Sequence, residues 1–279
     1  MTPSLLRAKA ELLRQLHQGP PPLLLPNVWD VAGARIIEEA GFPALATTSA
    51  GIANSLGYPD GQHIGRTAML EVVGRIVAAV QVPVTADLEA GYGQTPQQIA
   101  ETVAELLESG AVGLNLEDGV EEQSLVAAEE HAAKVRAVRE AGRGAGVDIV
   151  INARTDVYLA QVGPPESRFD ETLRRARLYR QAGADCIFVP GLRDANTIGR
   201  LVKELSCPVN ILAGPGFPPI AELEKLGVAR VSFGSSPHRA TLGLLRRMAQ
   251  EIREQGTYSA LEGLVSYAEA NALFRRRSK

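Results

Sequence analysis

The sequence predicts an α/β fold, a (β/α)8 TIM barrel with extra C-terminal helices. Three observations carry that expectation. Four segments share one shape, a helical end, a glycine and a short apolar run: Glu39–Thr47, Glu108–Leu116, Gln181–Val189 and Lys225–Phe233. Four more apolar runs lie between them: Leu23–Pro26, Val82–Ala86, Asp148–Asn152 and Cys207–Leu212. Most gaps hold a helical pattern, and eight strands alternating with helices imply a parallel sheet. Eight strands in about 210 residues fit a barrel, which typically needs about 250. The rival, a doubly wound open sheet, is weakened because no Gly-x-Gly-x-x-Gly follows the first strand.

The elements follow in order. Met1–Gly19 carries Arg7, Lys9, Glu11 and Arg14 among its leucines, which reads as an amphipathic helix and not as a signal peptide. Gly41, Gly110, Gly183 and Gly227 each follow a helical pattern, where a left-handed cap suits glycine. One helix is expected to start at Thr67 and to bury Leu70, Val73, Ile76, Val77 and Val80. Thr95-Pro96-Gln97-Gln98 is a capping-box start, followed by an apolar face of Ile99, Val103, Leu106 and Leu107. No Ser/Gly linker divides residues 1–279, so one domain is expected, with residues 237–279 a helical extension. That extension fits packing on a partner subunit or on the barrel's own floor.

Composition removes several classes. Of 279 residues, 45% are apolar, enough for a sizeable core. Lys plus Arg total 29 against 32 Asp plus Glu, a net charge of −3, which argues against a broadly basic nucleic-acid binder. Apolar stretches break within about ten residues, well short of the roughly 18–20 that a membrane span needs. Two cysteines, Cys186 and Cys207, make neither a disulfide scaffold nor a four-cysteine zinc site. The expectation is a cytoplasmic protein with neither nucleic-acid nor membrane partners.

In such a barrel the chemistry sits on the loops after the strands. Reading each strand to its end gathers Asn27, Trp29 and Asp30; Thr47, Thr48 and Ser49, with Asp60 further on; Asp87 and Glu89, then Tyr92; Asn115, Glu117 and Asp118; Asn152, Arg154 and Asp156; and Asn210. Asp87, Glu89 and Glu117 would share one mouth, with Asp60 on a loop above. Crowded carboxylates raise one another's pKa, a penalty that a divalent cation removes. An all-oxygen set favours Mg2+ or Mn2+ over zinc. The same acids also fit as helix caps or salt-bridge partners. Glu89, two residues after Asp87, points into the mouth only if the chain has turned there. Arg154 across the mouth suits a carboxylate, or a partner for one of the acids. Thr47–Gly51 offers small residues and N–H groups for an anionic oxygen, or is an ordinary turn. Cys186 reads as a core thiol, and the four histidines show no ligand spacing. Gly214-Pro-Gly216 and Gly234-Ser-Ser236 keep a phosphate-ester enzyme in view.

Several of these pieces together resemble the isocitrate lyase/phosphoenolpyruvate mutase superfamily. They are Pro26-Asn-Val-Trp-Asp30, Thr47-Thr-Ser-Ala-Gly51, Leu56-Gly-Tyr-Pro-Asp60, Thr85–Gly93, Gly113–Asp118 and Asn152-Ala-Arg-Thr-Asp156, in the family's order over residues 23–235. The resemblance implies the barrel, a homodimer or homotetramer with a helix often swapped, and Mg2+ held directly by Asp87. It implies that Asp60, Glu89 and Glu117 reach the metal mainly through water. It places Thr48 and Ser49 on the substrate carboxylate and Arg154 on a bound oxo acid. The family's reactions make or break a C–C or P–C bond beside a 2-oxo acid, through an enolate that the metal stabilises.

The departures are as informative. Lyases of the isocitrate and methylisocitrate type carry a Lys/Arg-Cys-Gly-His loop after the fourth strand. Here that stretch is Asp118–Leu125 and has no cysteine. Gln123-Ser124-Leu125 partly copies the Asn-Ser-Leu gate of the mutases, but Glu121, Glu122, Glu129 and Glu130 flank it. A dianionic phosphonate would be poorly received there.

The expectation is therefore a Mg2+-dependent (or Mn2+-dependent) C–C lyase or hydrolase acting on a small 2-oxo acid or dicarboxylate. Its metal residues would be Asp87, Asp60, Glu89 and Glu117, and its catalytic residues Arg154, Glu117 and Ser124. Trp29, Thr48, Ser49, Ala50, Tyr92, Arg154 and Asn210 would meet substrate, and the stretch from Asp118 to His131 would be a mobile gate. The alternatives are a non-catalytic 2-oxo acid binding protein and a phosphonomutase-like or phosphonopyruvate hydrolase-like P–C bond enzyme.

Overall fold

The computed structural model describes residues 1–120 and 124–275. Eight strands close into a parallel barrel: β1 (Leu23–Leu25 and Asn27–Val28), β2 (Leu45–Thr47), β3 (Val84–Asp87), β4 (Gly113–Glu117), β5 (Val150–Arg154), β6 (Cys186–Phe188), β7 (Val209–Leu212) and β8 (Arg230–Ser232). β1 is in two pieces because Pro26 has no N–H to give a ladder. The piece before it pairs with β8 and the piece after it pairs with β2, and this switch closes the ring.

The helices are α1 (Pro3–Gln15), α2 (Val31–Glu39), α3 (Ser49–Ser55), α4 (Gly65–Ala79), α5 (Pro96–Ser109), α6 (Ala128–Gly144), α7 (Arg168–Ala182), α8 (Ala195–Leu205), α9 (Ile220–Lys225), α10 (Ser236–Gln255) and α11 (Tyr267–Ala272). The Thr95–Gln98 capping box forms at the start of α5. All four expected cap glycines have positive φ. The expected start at Thr67 is two residues late: α4 begins at Gly65 with no side-chain cap, so the signal it was read from is not used.

The barrel floor is sealed by α1. Leu13 is fully buried, and a Cβ on Gly113 would stand 2.8 Å from it. Only glycine at the start of β4 lets the helix come this close. The buried His17 ring accepts no charge: burial and the Arg230 guanidinium push it down to about 3. Around the rim, Arg14 pairs with Asp185, and Arg139 pairs with Asp148 and Asp185 at 2.5 Å each. Cys186 is buried in β6 and pushed up to about 12 by that burial, an inert thiol.

Leu13→Ala should lower unfolding free energy by about 2–5 kcal/mol, the range for emptying a fully buried leucine site. Urea unfolding measures it. A loss below about 1 kcal/mol would show that α1 does not close the floor.

Candidate active site

The strands deliver their polar residues to one end of the barrel. β3 ends at Asp87, whose carboxylate is fixed on both oxygens. Oδ2 accepts from Ser49 N at 3.1 Å and from Ser49 Oγ at 2.9 Å. Oδ1 accepts from Asn115 Nδ2 at 3.4 Å. Ser49 opens α3, whose first turn is capped by Thr48, and Ala50 follows on the same turn. The Ser49 N–H is thus aimed at Asp87 and is not a free anion donor. Trp29 packs on this turn: a Cβ on Gly51 would meet Trp29 Cβ at 2.8 Å and the ring carbon Cγ at 3.3 Å, and the ring sits edge-on to His238.

Beyond Asp87 the chain turns sharply. Glu89 takes φ 52° and Tyr92 φ 54°, values that cost an ordinary residue strain. This turn is the condition under which Glu89 can face the mouth, and Glu89 is only 3% exposed. Its Oε2 accepts from the N–H groups of Gly61 and Gln62 at 2.8 and 2.6 Å, and its Oε1 accepts from Tyr92 Oη at 2.5 Å. Gln62, also at positive φ, accepts from Tyr92 N in return. The loop that carries Asp60 is thereby tied to the loop after β3. Asp60 itself is exposed. Partial loss of water and the neighbouring Asp87 raise its carboxyl. Burial does the same to Glu89, against the pull of Tyr92.

β4 and β5 end side by side, in register from Gly113↔Val150 to Glu117↔Arg154. Arg154 donates through Nη1 to Glu117 at 2.5 Å. It also grips Asp156 with Nε and Nη2, at 2.6 and 2.8 Å. One guanidinium is shared between two carboxylates, and Asp156 has the bidentate share. Burial therefore leaves Glu117 raised well above the ordinary carboxylate range, with Arg154 opposing. Among the described residues no three acids, histidines or cysteines converge tightly enough to close a metal shell unaided.

Three expected residues stand differently. Asn210 lies two residues before the end of β7, wholly buried, with Oδ1 accepting from Ser232 Oγ. The expected run and the strand both end at Leu212, so Asn210 sits within the strand and not on the loop after it. Ser124 is exposed on a short hairpin against Val120, and Gln123, Glu121 and Glu122 lie outside the described residues. The gate is fixed at both ends. Asp118 is fully buried, accepting from Tyr179 Oη at 2.5 Å, Arg175 Nη1 at 3.0 Å and Asp156 N at 2.9 Å. His131 is buried against the Tyr179 ring. Asp156 and Asn115 were gathered at strand ends in the sequence but given no role; Asn115 lies two residues before the end of β4 and Asp156 two after the end of β5. Arg175 and Tyr179 give no sequence signal, being more than fifty residues from Asp118.

Two cavities flank the mouth. One of about 830 Å3 adjoins Tyr92 and is lined by Arg66, Gln98, Val120 and Lys134. The other, about 790 Å3, lies on the loops after β6, β7 and β8, with Arg193, Gly214, Phe217 and Arg239.

The family model described as phosphoenolpyruvate phosphomutase matches residues 13–253. A crystal structure from Burkholderia cenocepacia J2315, described only as a candidate lyase/mutase, is 38% identical, covers 98% of each chain and has a TM-score of 0.91. Oxaloacetate decarboxylase 2 of Pseudomonas putida is 30% identical over 82% of this chain and 75% of its own. Oxaloacetate acetylhydrolase in complex with the inhibitor 3,3-difluorooxalacetate is 26% identical, covering 95% of this chain and 92% of its own, with a TM-score of 0.84.

Raised carboxyls stabilise a fold below their ordinary pKa, and that contribution is lost as pH rises through the raised value. The metal-free protein should therefore lose stability from Asp60, Glu89 and Glu117 as pH climbs above about 4. Asp60→Asn should melt higher than the parent at about pH 7, with the gap closing near about pH 4. Equal gaps at both pH values would show that Asp60 carries no such strain.

Proposed function

The chain belongs to the phosphoenolpyruvate phosphomutase family, within the isocitrate lyase/phosphoenolpyruvate mutase superfamily, and on that premise we propose that it is a divalent-metal-dependent lyase or hydrolase cleaving a C–C bond in a small 2-oxo dicarboxylate. The observation that carries this reading is the fixed carboxylate of Asp87, set among Asp60, Glu89 and Glu117 and faced by Arg154.

The residues fit Mg2+ or Mn2+. The set is all oxygen, and its acids are raised first by burial and then by one another's charge, both of which a cation offsets. Mg2+ keeps several waters and takes one or two carboxylates directly, which the donor chemistry of Asp87 with its neighbouring acids allows. Asp87 would hold the ion directly, with Asp60, Glu89 and Glu117 behind water. Bound there, the cation supplies positive charge opposite an enolate oxygen.

The chain's own groups do the rest. Arg154 has five N–H groups, of which three are engaged by Glu117 and Asp156. The other two remain to orient a substrate carboxylate or oxo group. Thr48, Ser49 and Ala50 line the opposite side at the start of α3, and Trp29 and Tyr92 border them. Glu117, raised by burial, is assigned to hold or deliver the proton, with Tyr92 and Ser124 as secondary candidates. Asn210 is assigned an indirect part, since its side chain is buried below the strand end. Oxaloacetate heads the substrate panel because the similar decarboxylase and acetylhydrolase are named for it; 2-oxoglutarate and substituted malates follow.

The C-terminal extension supports a homodimer or homotetramer. Leu242, Leu245 and Ile252 of α10, and Leu264, Val265, Tyr267 and Phe274 beyond it, are exposed apolar residues along one stretch. Large apolar side chains exposed so often in one segment suit a face covered by a second copy of the chain. No helix among the described residues is long and apolar enough to cross a membrane.

Proton NMR of oxaloacetate mixed with protein and Mg2+ tests the reaction, since decarboxylation gives pyruvate and hydrolysis gives oxalate plus acetate. Turnover above the protein-free rate is expected, abolished together with metal binding in a folded Asp87→Ala variant. Unchanged metal affinity and turnover in that variant would defeat the assignment.

A further inference from the structure

The barrel interior holds a guanidinium that the chemistry above does not use. Arg230, the first residue of β8, is wholly buried. Its Nη2 donates to Asn115 Oδ1 at 3.1 Å across the lumen, since β4 and β8 are not neighbours. Among the described residues its Nε and Nη1 have no hydrogen-bond partner. Burying such a group without a counter-ion is costly, and burial pulls its pKa down to about 10. The groups around it do not neutralise it: His17, on the turn after α1, is held uncharged, Cys186 from β6 is a protonated thiol, and Asn210 from β7 is neutral. Asp87, on the far side of Asn115, is the carboxylate that feels its charge.

The one hydrogen bond that Arg230 makes settles the orientation of Asn115. A guanidinium only donates, so the Asn115 atom facing it is the oxygen. Asn152 Nδ2 donates to the same oxygen at 2.8 Å. With its oxygen turned inward, Asn115 must present its NH2 to Asp87 Oδ1. A flipped amide would set oxygen against oxygen there.

We propose that Arg230 is a positioning residue for Asp87, acting through the side-chain amide of Asn115. The inference rests on the reading of Asp87 as the direct holder of the cation. Arg230 steadies the amide that steadies the carboxylate, from beneath a mouth whose other guanidinium, Arg154, is engaged by Glu117 and Asp156. Neutralising Arg230 leaves Asn152 as the one remaining donor to the Asn115 oxygen among the described residues, so the amide that steadies Asp87 Oδ1 is held less firmly.

Titration of Mn2+ against the protein, followed by the electron paramagnetic resonance of the free ion, tests this without reference to turnover. Arg230→Met and Asn115→Leu should each weaken Mn2+ binding by about tenfold or more, as changes behind a metal ligand do. Combining them should add little to either alone, because both break the same chain of contacts. Arg230→Lys should recover part of the loss. It is carried through the same cycle, so the coupling stays measurable if Arg230→Met fails to fold. Thermal melts identify folded variants. Parental affinity in Arg230→Met, or an undiminished effect in the Asn115→Leu background, would overturn the inference while leaving the Asp87 reading intact. Absence of any binding that Asp87→Ala removes would overturn both.

Discussion

Carboxylates crowded at one end of a parallel barrel repel one another, and the rest of the site is arranged around that repulsion. Burial first, and neighbouring carboxylates after it, make Asp60, Glu89 and Glu117 hold protons more tightly than ordinary carboxyls. One guanidinium, Arg154, is divided between Glu117 and Asp156 and cannot satisfy both fully. The backbone gives way as well: Gln62, Glu89 and Tyr92 adopt positive φ in two loops that Glu89 and Tyr92 pin together. Strain and like charge confined to one small region are what a protein tolerates where ligand binding compensates them.

The barrel separates this unstable end from a stable one. At the floor, Leu13, His17 and the Arg14–Arg139–Asp148–Asp185 network close the cylinder with buried contacts and paired charges. At the mouth, polar side chains stand on strand ends. Between them Asn115, Asn152 and Arg230 run a hydrogen-bonded chain through the lumen. The interior is therefore not a purely apolar filling. It is a rigid polar connection from the eighth strand to the third, and its geometry is set by strands whose register packing already fixes.

Much of this was legible in the sequence because local chemistry dictates it. The helix–glycine–strand repeat located the strands, and a capping box located α5 to the residue. Polar residues that interrupt or follow apolar runs identified Asp87, Glu89, Glu117 and Arg154 as neighbours. What local chemistry does not dictate was missed. The start of α4 uses no cap. Asn210 was gathered with the strand-end residues because its side chain is polar, although it sits inside the Cys207–Leu212 run with that side chain buried. The Asp118–Arg175–Tyr179 anchor joins residues 57 and 61 positions apart. Arg230 looked like an unremarked strand residue because nothing around it in the chain signals that it faces Asn115, 115 positions away.

The central claim is that the mouth binds a 2-oxo acid together with a divalent cation. Calorimetric titration of oxaloacetate, 2-oxoglutarate, pyruvate and phosphonopyruvate, each with and without Mg2+, tests it most directly. The expected result is binding of a 2-oxo dicarboxylate that requires the metal and is lost in Asp87→Ala. Binding of phosphonopyruvate above the others, or no metal-dependent binding of any of them, would contradict it.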